Sequence, residues 1–286
     1  VPTLRGRTVV TLFYESSTRT SSSFELAAKR LSADLVSVKA AGSSVDKGES
    51  LKDTVATLSA YDPAAIVIRH PYAGAAQMVA QWTAAAVINA GDGKHEHPSQ
   101  ALLDVYTLRR RLGSLEGVRI WIVGDVLHSR VARSNLIAFQ RMGAEVTLCG
   151  PPTLIPRGIE ELGCDVTYSL DGIEAADVVY ALRMQLERMN DKFVPSLAEY
   201  AATFQIDTRL LSPRQLLMHP GPVNRGVEIS GEAIDSPQSL IVEQVAAGLV
   251  VRMAILYELL TAPERPTAIG EGAAAEVAAP TIGQPA

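Results

Sequence analysis

The sequence predicts an α/β protein made of two open, mostly parallel sheets whose strands are joined by helical crossovers. Three observations carry that prediction. Short runs rich in β-branched residues alternate with helical patterns along nearly the whole chain, as parallel strands with crossover helices require. The first of these runs, with Val9, Val10, Leu12 and Phe13, is apolar in the manner of a buried strand. A long helical pattern stops at Gly113 and a fresh strand opens at Val118, which divides the chain into two units.

Each element has its own signal. After the first strand, at 8–13, Phe24, Ala27, Ala28 and Leu31 recur at i, i+3, i+4, i+7, the stripe of an amphipathic helix. Strands follow at 34–38, 65–69 and 86–89, each a short run set between helical stretches. The helix at 98–112 has Pro98 at the favoured first position, one face of Ala101, Leu102, Val105, Leu108 and Leu112, and Gly113 as its stop. Beyond it come strands at 118–124, 145–149, 165–168, 177–181 and 216–219, then a last helix at 238–260. The expected units are 1–114, 115–237, and the helix 238–260 packing back on the first unit. Residues 261–286 are rich in Ala, Pro, Gly and Glu without apolar periodicity and read as a disordered extension or linker.

Composition narrows the function classes. A chain of 286 residues is long enough for two domains, and 47% hydrophobic content with mixed charges describes a soluble globular protein. A net charge of −5 argues against nucleic-acid binding through a general basic surface. Only two cysteines occur, Cys149 and Cys164, without metal-type spacing, so a reducing cytoplasm is expected. No apolar run approaches transmembrane length and no signal peptide opens the chain, so no membrane partner is expected. The opening Val1, in place of Met, leads to the expectation that upstream residues are missing.

The richest chemistry lies in the run Phe13 to Glu25, F-Y-E-S-S-T-R-T-S-S-S-F-E. A strand here becomes a helix through several hydroxyls and one arginine. The first helical turn has outward N–H groups and a positive dipole end, and a guanidinium adds fork geometry suited to phosphate. A simple serine cap needs only one such residue; a run of them around Arg19 points to an oxyanion or phosphate site. In open α/β sheets ligands bind beyond the carboxyl ends of strands. Arg19, Arg69, Arg130, Arg183 and Lys47 all fall just past predicted strand ends, and so do all the histidines. The ligands should therefore carry several negative charges.

Other motifs have plainer readings. His97 before Pro98 is equally a helix-entry residue. His95-Glu96-His97 with Asp92 suggests a metal, yet two histidines two apart at a helix entrance lack the i, i+4 geometry of a helical zinc pair, so no metal is expected. Gly124 to Arg130 lies between a strand and a helix but lacks G-x-G-x-x-G spacing, so no dinucleotide cofactor is expected. Arg109, Arg110 and Arg111 read as a solvated helix end.

Seven motifs in order, F-Y-E-S-S-T-R-T, S-S-V-D-K-G-E, I-R-H-P, G-D-G-K-H-E-H-P-S-Q-A-L-L-D, G-D-V-L-H-S-R, L-R-M-Q-L-E-R and H-P-G-P-V-N-R-G, span 2–260. Together they resemble the aspartate/ornithine carbamoyltransferase family, and within it the aspartate-specific branch. The resemblance implies a carbamoyl phosphate domain and an aspartate domain with the site in the cleft between them. It implies transfer from carbamoyl phosphate to L-aspartate, the committed step of pyrimidine synthesis, without a cofactor. It assigns Ser17, Thr18, Arg19 and Thr20 to the phosphate group, Arg69 to phosphate and carbonyl oxygen, and Thr20, Arg69 and His97 to polarising the carbonyl. Gln100 and the carbonyl of Pro220 would accept from the carbamoyl NH2, with Gly221 and Pro222 completing that wall. Arg130, Arg183 and Gln185, assisted by Gly221 and Lys47, would bind aspartate. Ser43 and Lys47 would enter the neighbouring subunit's site in a homotrimer. Larger assemblies with regulatory chains or dihydroorotase stay open.

The chain departs from the family pattern in three places. A helical segment before the equivalent of Pro2 is absent, Ser21-Ser22-Ser23 replaces an Arg-containing continuation, and Gly221 stands where many relatives have Leu. The first serine run is expected to affect helix packing, and the glycine is expected to be tolerated because the roles there are backbone ones. Two alternatives make different demands on the sequence. An ornithine enzyme should show H-C-L-P and acidic groups for a cationic side chain. A non-catalytic scaffold should have lost anion-site residues.

Overall fold

The computed structural model describes residues 2–39, 48–185 and 193–262. The predicted Ser43 and Lys47, and the tail from 263 onward, lie outside the described residues.

The first sheet contains β1 (Thr8–Phe13), β2 (Asp34–Lys39), β3 (Ala65–His70) and β4 (Ala86–Asp92), in the order β2-β1-β3-β4 and parallel throughout. Its crossovers are α1 (Thr18–Arg30), α2 (Leu51–Ser59) and α3 (Ala75–Ala80). Alternation along β1 sends Val9 and Phe13 into one apolar cluster and Val10 and Leu12 into another. A parallel sheet covered on both faces needs both sets.

Helix α4 (Pro98–Leu112) leads to the second sheet, β5 (Arg119–Val123), β6 (Glu145–Cys149), β7 (Asp165–Thr167), β8 (Val178–Ala181) and β9 (Leu216–Met218), in the order β7-β6-β5-β8-β9 and again all parallel. Helix α5 (Arg130–Arg141) covers one face, with Leu136 and Phe139 against Ile120, Ile122 and Tyr180. On the other face Tyr200 and Phe204 of α6 (Leu197–Phe204) pack with Val179 and Leu217. The connections around β7 are short 3₁₀ turns, and α7 (Gly231–Ile234) precedes the last helix.

That last helix, α8 (Ile241–Thr261), packs on α1 and α4. Leu256 enters the first sheet's cluster beside Phe24 and Ala27, and a buried leucine contributes about 1.5–3 kcal/mol. Helix α8 begins three residues later than predicted because Leu217 N–H donates to the Gln238 carbonyl and Leu240 N–H to the Leu217 carbonyl, so 238–240 line up beside β9 instead. The helix also corrects the reading that no run approaches membrane-spanning length. Among the described residues α8 is long and apolar enough for that, yet Gln244 and Arg252 are buried in its contact with the other helices. Strand β4 runs past its predicted end at 89, since one extra residue at 90–91, a bulge in β4 opposite the step from Ile68 to His70, lets His70 pair with Asp92. The extension carries the chain to the edge where the polar residues gather.

Candidate active site

A cavity of about 490 Å³ opens at the carboxyl ends of β1, β3, β5, β8 and β9. It lies between the two sheets because α4 ends on the core of the second sheet while α8 returns to the first. Every described candidate lines it: Ser17, Thr18, Arg19, Thr20, Arg69, His97 and Gln100 from the first half, and Arg130, Arg183, Gln185, Pro220, Gly221 and Pro222 from the second.

The hydroxyl run does what its position implies. Ser17 is the N-cap of α1, with extended backbone, and its Oγ accepts from Thr20 N–H at 3.3 Å. Thr18, Arg19 and Thr20 form the first turn, which holds no acidic residue, so the positive end of the helix stays uncompensated. Arg19 sits over Gly221, where a Cβ would come within 2.6 Å of its Cζ. Gly221 has a φ of +63°, and its preference there is both conformational and steric. The glycine expected to be tolerated for backbone reasons thus also makes room for a guanidinium. Burial, and then the nearby Arg183, hold the Arg19 pKa below its ordinary value. Two like charges facing one cavity favour an anion between them.

Arg69 and Arg130 share a carboxylate. Glu15 Oε2 accepts from Arg130 Nη2 at 2.6 Å and lies 3.4 Å from Arg69 Nε. Arg130 Nη1 donates to the Gly93 carbonyl at 3.1 Å, and Arg69 Nη1 to that of Ala90 at 3.4 Å. Gly91, at φ +118°, admits the Arg130 guanidinium where a Cβ would lie 2.9 Å from Nε. Glu15 thereby ties a residue after β1 to the first turn of α5, across the two sheets.

His97 is the N-cap of α4, with Pro98 following as the plain reading anticipated, and it is also buried on the cavity. Its N–H donates to Ser134 Oγ at 2.9 Å, and its Nδ1 lies 3.4 Å from Ser99 Oγ. One turn on, Gln100 Nε2 donates to the fully buried Asp104 at 3.0 Å. Across the cleft, His219 Nδ1 accepts from Gly221 N–H at 2.8 Å and Nε2 lies 3.2 Å from Glu228. A backbone N–H can only donate, so Nδ1 is the acceptor and the proton sits on Nε2. Burial lowers the His219 pKa, against the opposing pull of Glu228, which suits that neutral form. Gln185 is fixed through its N–H, which donates to buried Asp125 at 3.2 Å. Asp92 accepts from Gly74 N–H at 2.7 Å, Asn89 at 2.9 Å and Glu96 N–H at 3.1 Å, and pairs with His95 at 3.0 Å, so its carboxylate organises the loop.

Sequence reasoning left several residues unassigned: His219, Gln244 and Arg252 on the cavity, and Glu15 between two of its arginines. Asp104 was legible in principle, since it stands four residues after Gln100 on one helix face. Gln244 and Arg252 carry no local signal, because only the return of α8 brings them to the site.

Two family models match the chain: the carbamoyl-P binding domain of aspartate/ornithine carbamoyltransferase over residues 1–110, and the Asp/Orn binding domain over residues 116–259. The aspartate carbamoyltransferase catalytic subunit of Acidothermus cellulolyticus is 57% identical over 99% of this chain and 88% of its own length. That of Pelotomaculum thermopropionicum is 59% identical over 91% of this chain and 85% of its own. Among solved structures, Trypanosoma cruzi aspartate transcarbamoylase in complex with carbamoyl aspartate and phosphate superposes with a TM-score of 0.80 at 34% identity, covering 91% of this chain and 85% of that one. The catalytic subunit of M. jannaschii aspartate transcarbamoylase gives a TM-score of 0.79 at 37% identity, covering 91% and 87%.

Proposed function

The chain belongs to the aspartate/ornithine carbamoyltransferase family, and we propose that it transfers the carbamoyl group of carbamoyl phosphate to L-aspartate, giving N-carbamoyl-L-aspartate and phosphate. The observation that carries this reading is the charge of the cavity. Arg19, Arg69, Arg130 and Arg183 line it, and Glu15 is a carboxylate that Arg69 and Arg130 share. Such a cavity suits two anionic substrates held side by side, and positioning of that kind supplies much of the rate in a two-substrate reaction.

The chemistry follows from the groups available. The aspartate amine attacks the carbonyl carbon, forming the C–N bond and a tetrahedral oxyanion. Collapse breaks the carbon–oxygen bond to phosphate, and the amine's proton leaves with the phosphate. Phosphate is a good leaving group, so no nucleophilic serine or cysteine is required. Thr20, Arg69 and His97 are cast as donors to the oxyanion, each worth roughly 3 kcal/mol. Ser17, Thr18 and Arg19 grip the phosphate at the helix N-terminus, and Gln100 with the Pro220 carbonyl accepts from the carbamoyl NH2. Arg183 and Gln185 hold the aspartate carboxylates. An aspartate carboxylate reaching Arg130 would share it with Glu15, which joins substrate binding to the contact across the cleft.

His97 acts here as a hydrogen-bond donor. His97→Ala should lower kcat by about 10²-fold, the usual loss for one oxyanion donor, and steady-state kinetics with wild-type rates would refute the role. The function itself is tested by supplying the purified chain with carbamoyl phosphate and either aspartate or ornithine. Carbamoyl aspartate alone is the expected product; citrulline alone would overturn the substrate assignment, and no product would favour a scaffold.

The same reading takes over a homotrimer, with Ser43 and Lys47 supplied across the subunit boundary, and a cytoplasmic location. The free, buried thiols of Cys149 and Cys164 suit a reducing compartment. A particle of monomer size that stays fully active on dilution would remove the shared-site part.

A further inference from the structure

Asp104 lies beneath the cavity, fully buried, and its carboxylate accepts four hydrogen bonds. Oδ1 takes Gln100 Nε2 at 3.0 Å and Gln244 Nε2 at 2.7 Å. Oδ2 takes Asn135 Nδ2 at 2.9 Å and Tyr180 OH at 2.7 Å. The donors come from α4, α8, α5 and β8, so one side chain joins four elements. An ionised carboxylate offers only lone pairs. Each amide that meets it must turn its NH2 inward and its oxygen outward.

For Gln244 the outward oxygen is accounted for: Oε1 accepts from the backbone N–H of His219 at 3.0 Å. That N–H cannot accept, so the orientation of the Gln244 amide is set from both ends. The bond anchors the residue just before Pro220, and His219 in turn holds Gly221 N–H through Nδ1. For Gln100 the bond from Nε2 to Asp104 sets which way the amide faces, and Oε1 is the acceptor left for the cavity that Gln100 lines. Two acceptors on opposite walls therefore depend on the polarity of one buried carboxylate.

We propose that Asp104 is a positioning residue that makes the site selective for an acyl phosphate bearing an NH2 group, by presenting Gln100 Oε1 directly and the Pro220 carbonyl through Gln244 and His219. The proposal rests on the carbamoyl-transfer reading above. It deepens that reading by naming what distinguishes carbamoyl phosphate from acetyl phosphate, which has a methyl in place of the NH2. A site built to accept from a substrate NH penalises an analogue that lacks it, because the buried acceptors are left without donors. Asp104 sits at 0% exposure and does not line the cavity, so its effect must pass through the amides it orients.

The plain alternative is that Asp104 only fastens the two sheets together. Loss of a fastening would weaken every ligand alike, whereas loss of acceptor polarity weakens only the NH2-bearing one. The measurement is the KM for carbamoyl phosphate beside the inhibition constant for acetyl phosphate, in the full-length chain at saturating aspartate. Asp104→Leu should raise the carbamoyl phosphate KM at least tenfold with the acetyl phosphate constant unchanged within twofold. Asp104→Asn should keep the wild-type ratio within threefold, since its oxygen can still take both glutamine amides and its NH2 can turn to Asn135 Oδ1, which is buried without a hydrogen-bond partner. Should Asp104→Leu fail to fold, Gln244→Met carries the test. It removes the route to His219 and leaves Gln100 on Asp104, so the ratio should move at least threefold. Parallel shifts of both constants, or no shift in either variant, would overturn the proposal. If the wild-type chain makes no carbamoyl aspartate, it is the functional reading that fails.

Discussion

Replacing Arg69 with leucine should cut kcat/KM for carbamoyl phosphate by about 10³–10⁴-fold. Loss of one preorganised oxyanion donor typically costs about 10²–10³ in rate, and Arg69 is also one of the charges that hold the phosphate. Its guanidinium touches the Ala90 carbonyl and the Glu15 carboxylate, and the residue lines the cavity. Arg69→Lys keeps a charge but not the fork, so it should recover no more than about tenfold of the loss. Steady-state kinetics with both substrates varied would decide it, and an Arg69→Leu enzyme within threefold of wild type would remove Arg69 from the chemistry.

The second large effect is expected on the other substrate. Arg183→Leu should raise the aspartate KM by about 10²-fold or more, with carbamoyl phosphate binding changed far less. Truncating a guanidinium that meets a carboxylate in a partly desolvated site costs about 2–5 kcal/mol, and each 1.4 kcal/mol is tenfold. Arg183 follows β8 beside Gln185, whose N–H is tied to Asp125. It is close enough to Arg19 to help depress that residue's pKa. Removing it therefore takes a repulsive neighbour from Arg19, so phosphate binding should not weaken in step. Titration of each substrate separately tests the split. An unchanged aspartate KM would transfer the assignment to Arg130 and Gln185.

These two predictions divide along the two sheets, and the division was already visible in the order of motifs. The run before α1 announces an anion cradle by local chemistry alone: hydroxyls at a helix start, a cap at Ser17, an arginine within the first turn. Strand ends are legible for the same reason, since β-branched runs and the residues that stop them are neighbours in the chain. Strand β4 shows the limit. Its run past 89 carries one extra residue relative to β3, at 90–91, and where the pairing resumes is decided by the partner strand, which a strand's own residues do not encode.

What the sequence determined by itself was the α/β class, the approximate place of each strand, and the set of basic and hydroxyl residues at one edge, because periodicity and caps act over a few residues. What only the tertiary structure decided was how those charges are shared. Glu15 divides itself between Arg69 and Arg130, Gly221 yields its space to Arg19, and Asp104 gathers donors from four elements. Gln244 lies 140 positions from the carboxylate it meets. No local pattern reports such a pairing, since it exists only once α8 has returned to the first sheet and water has been excluded from between them.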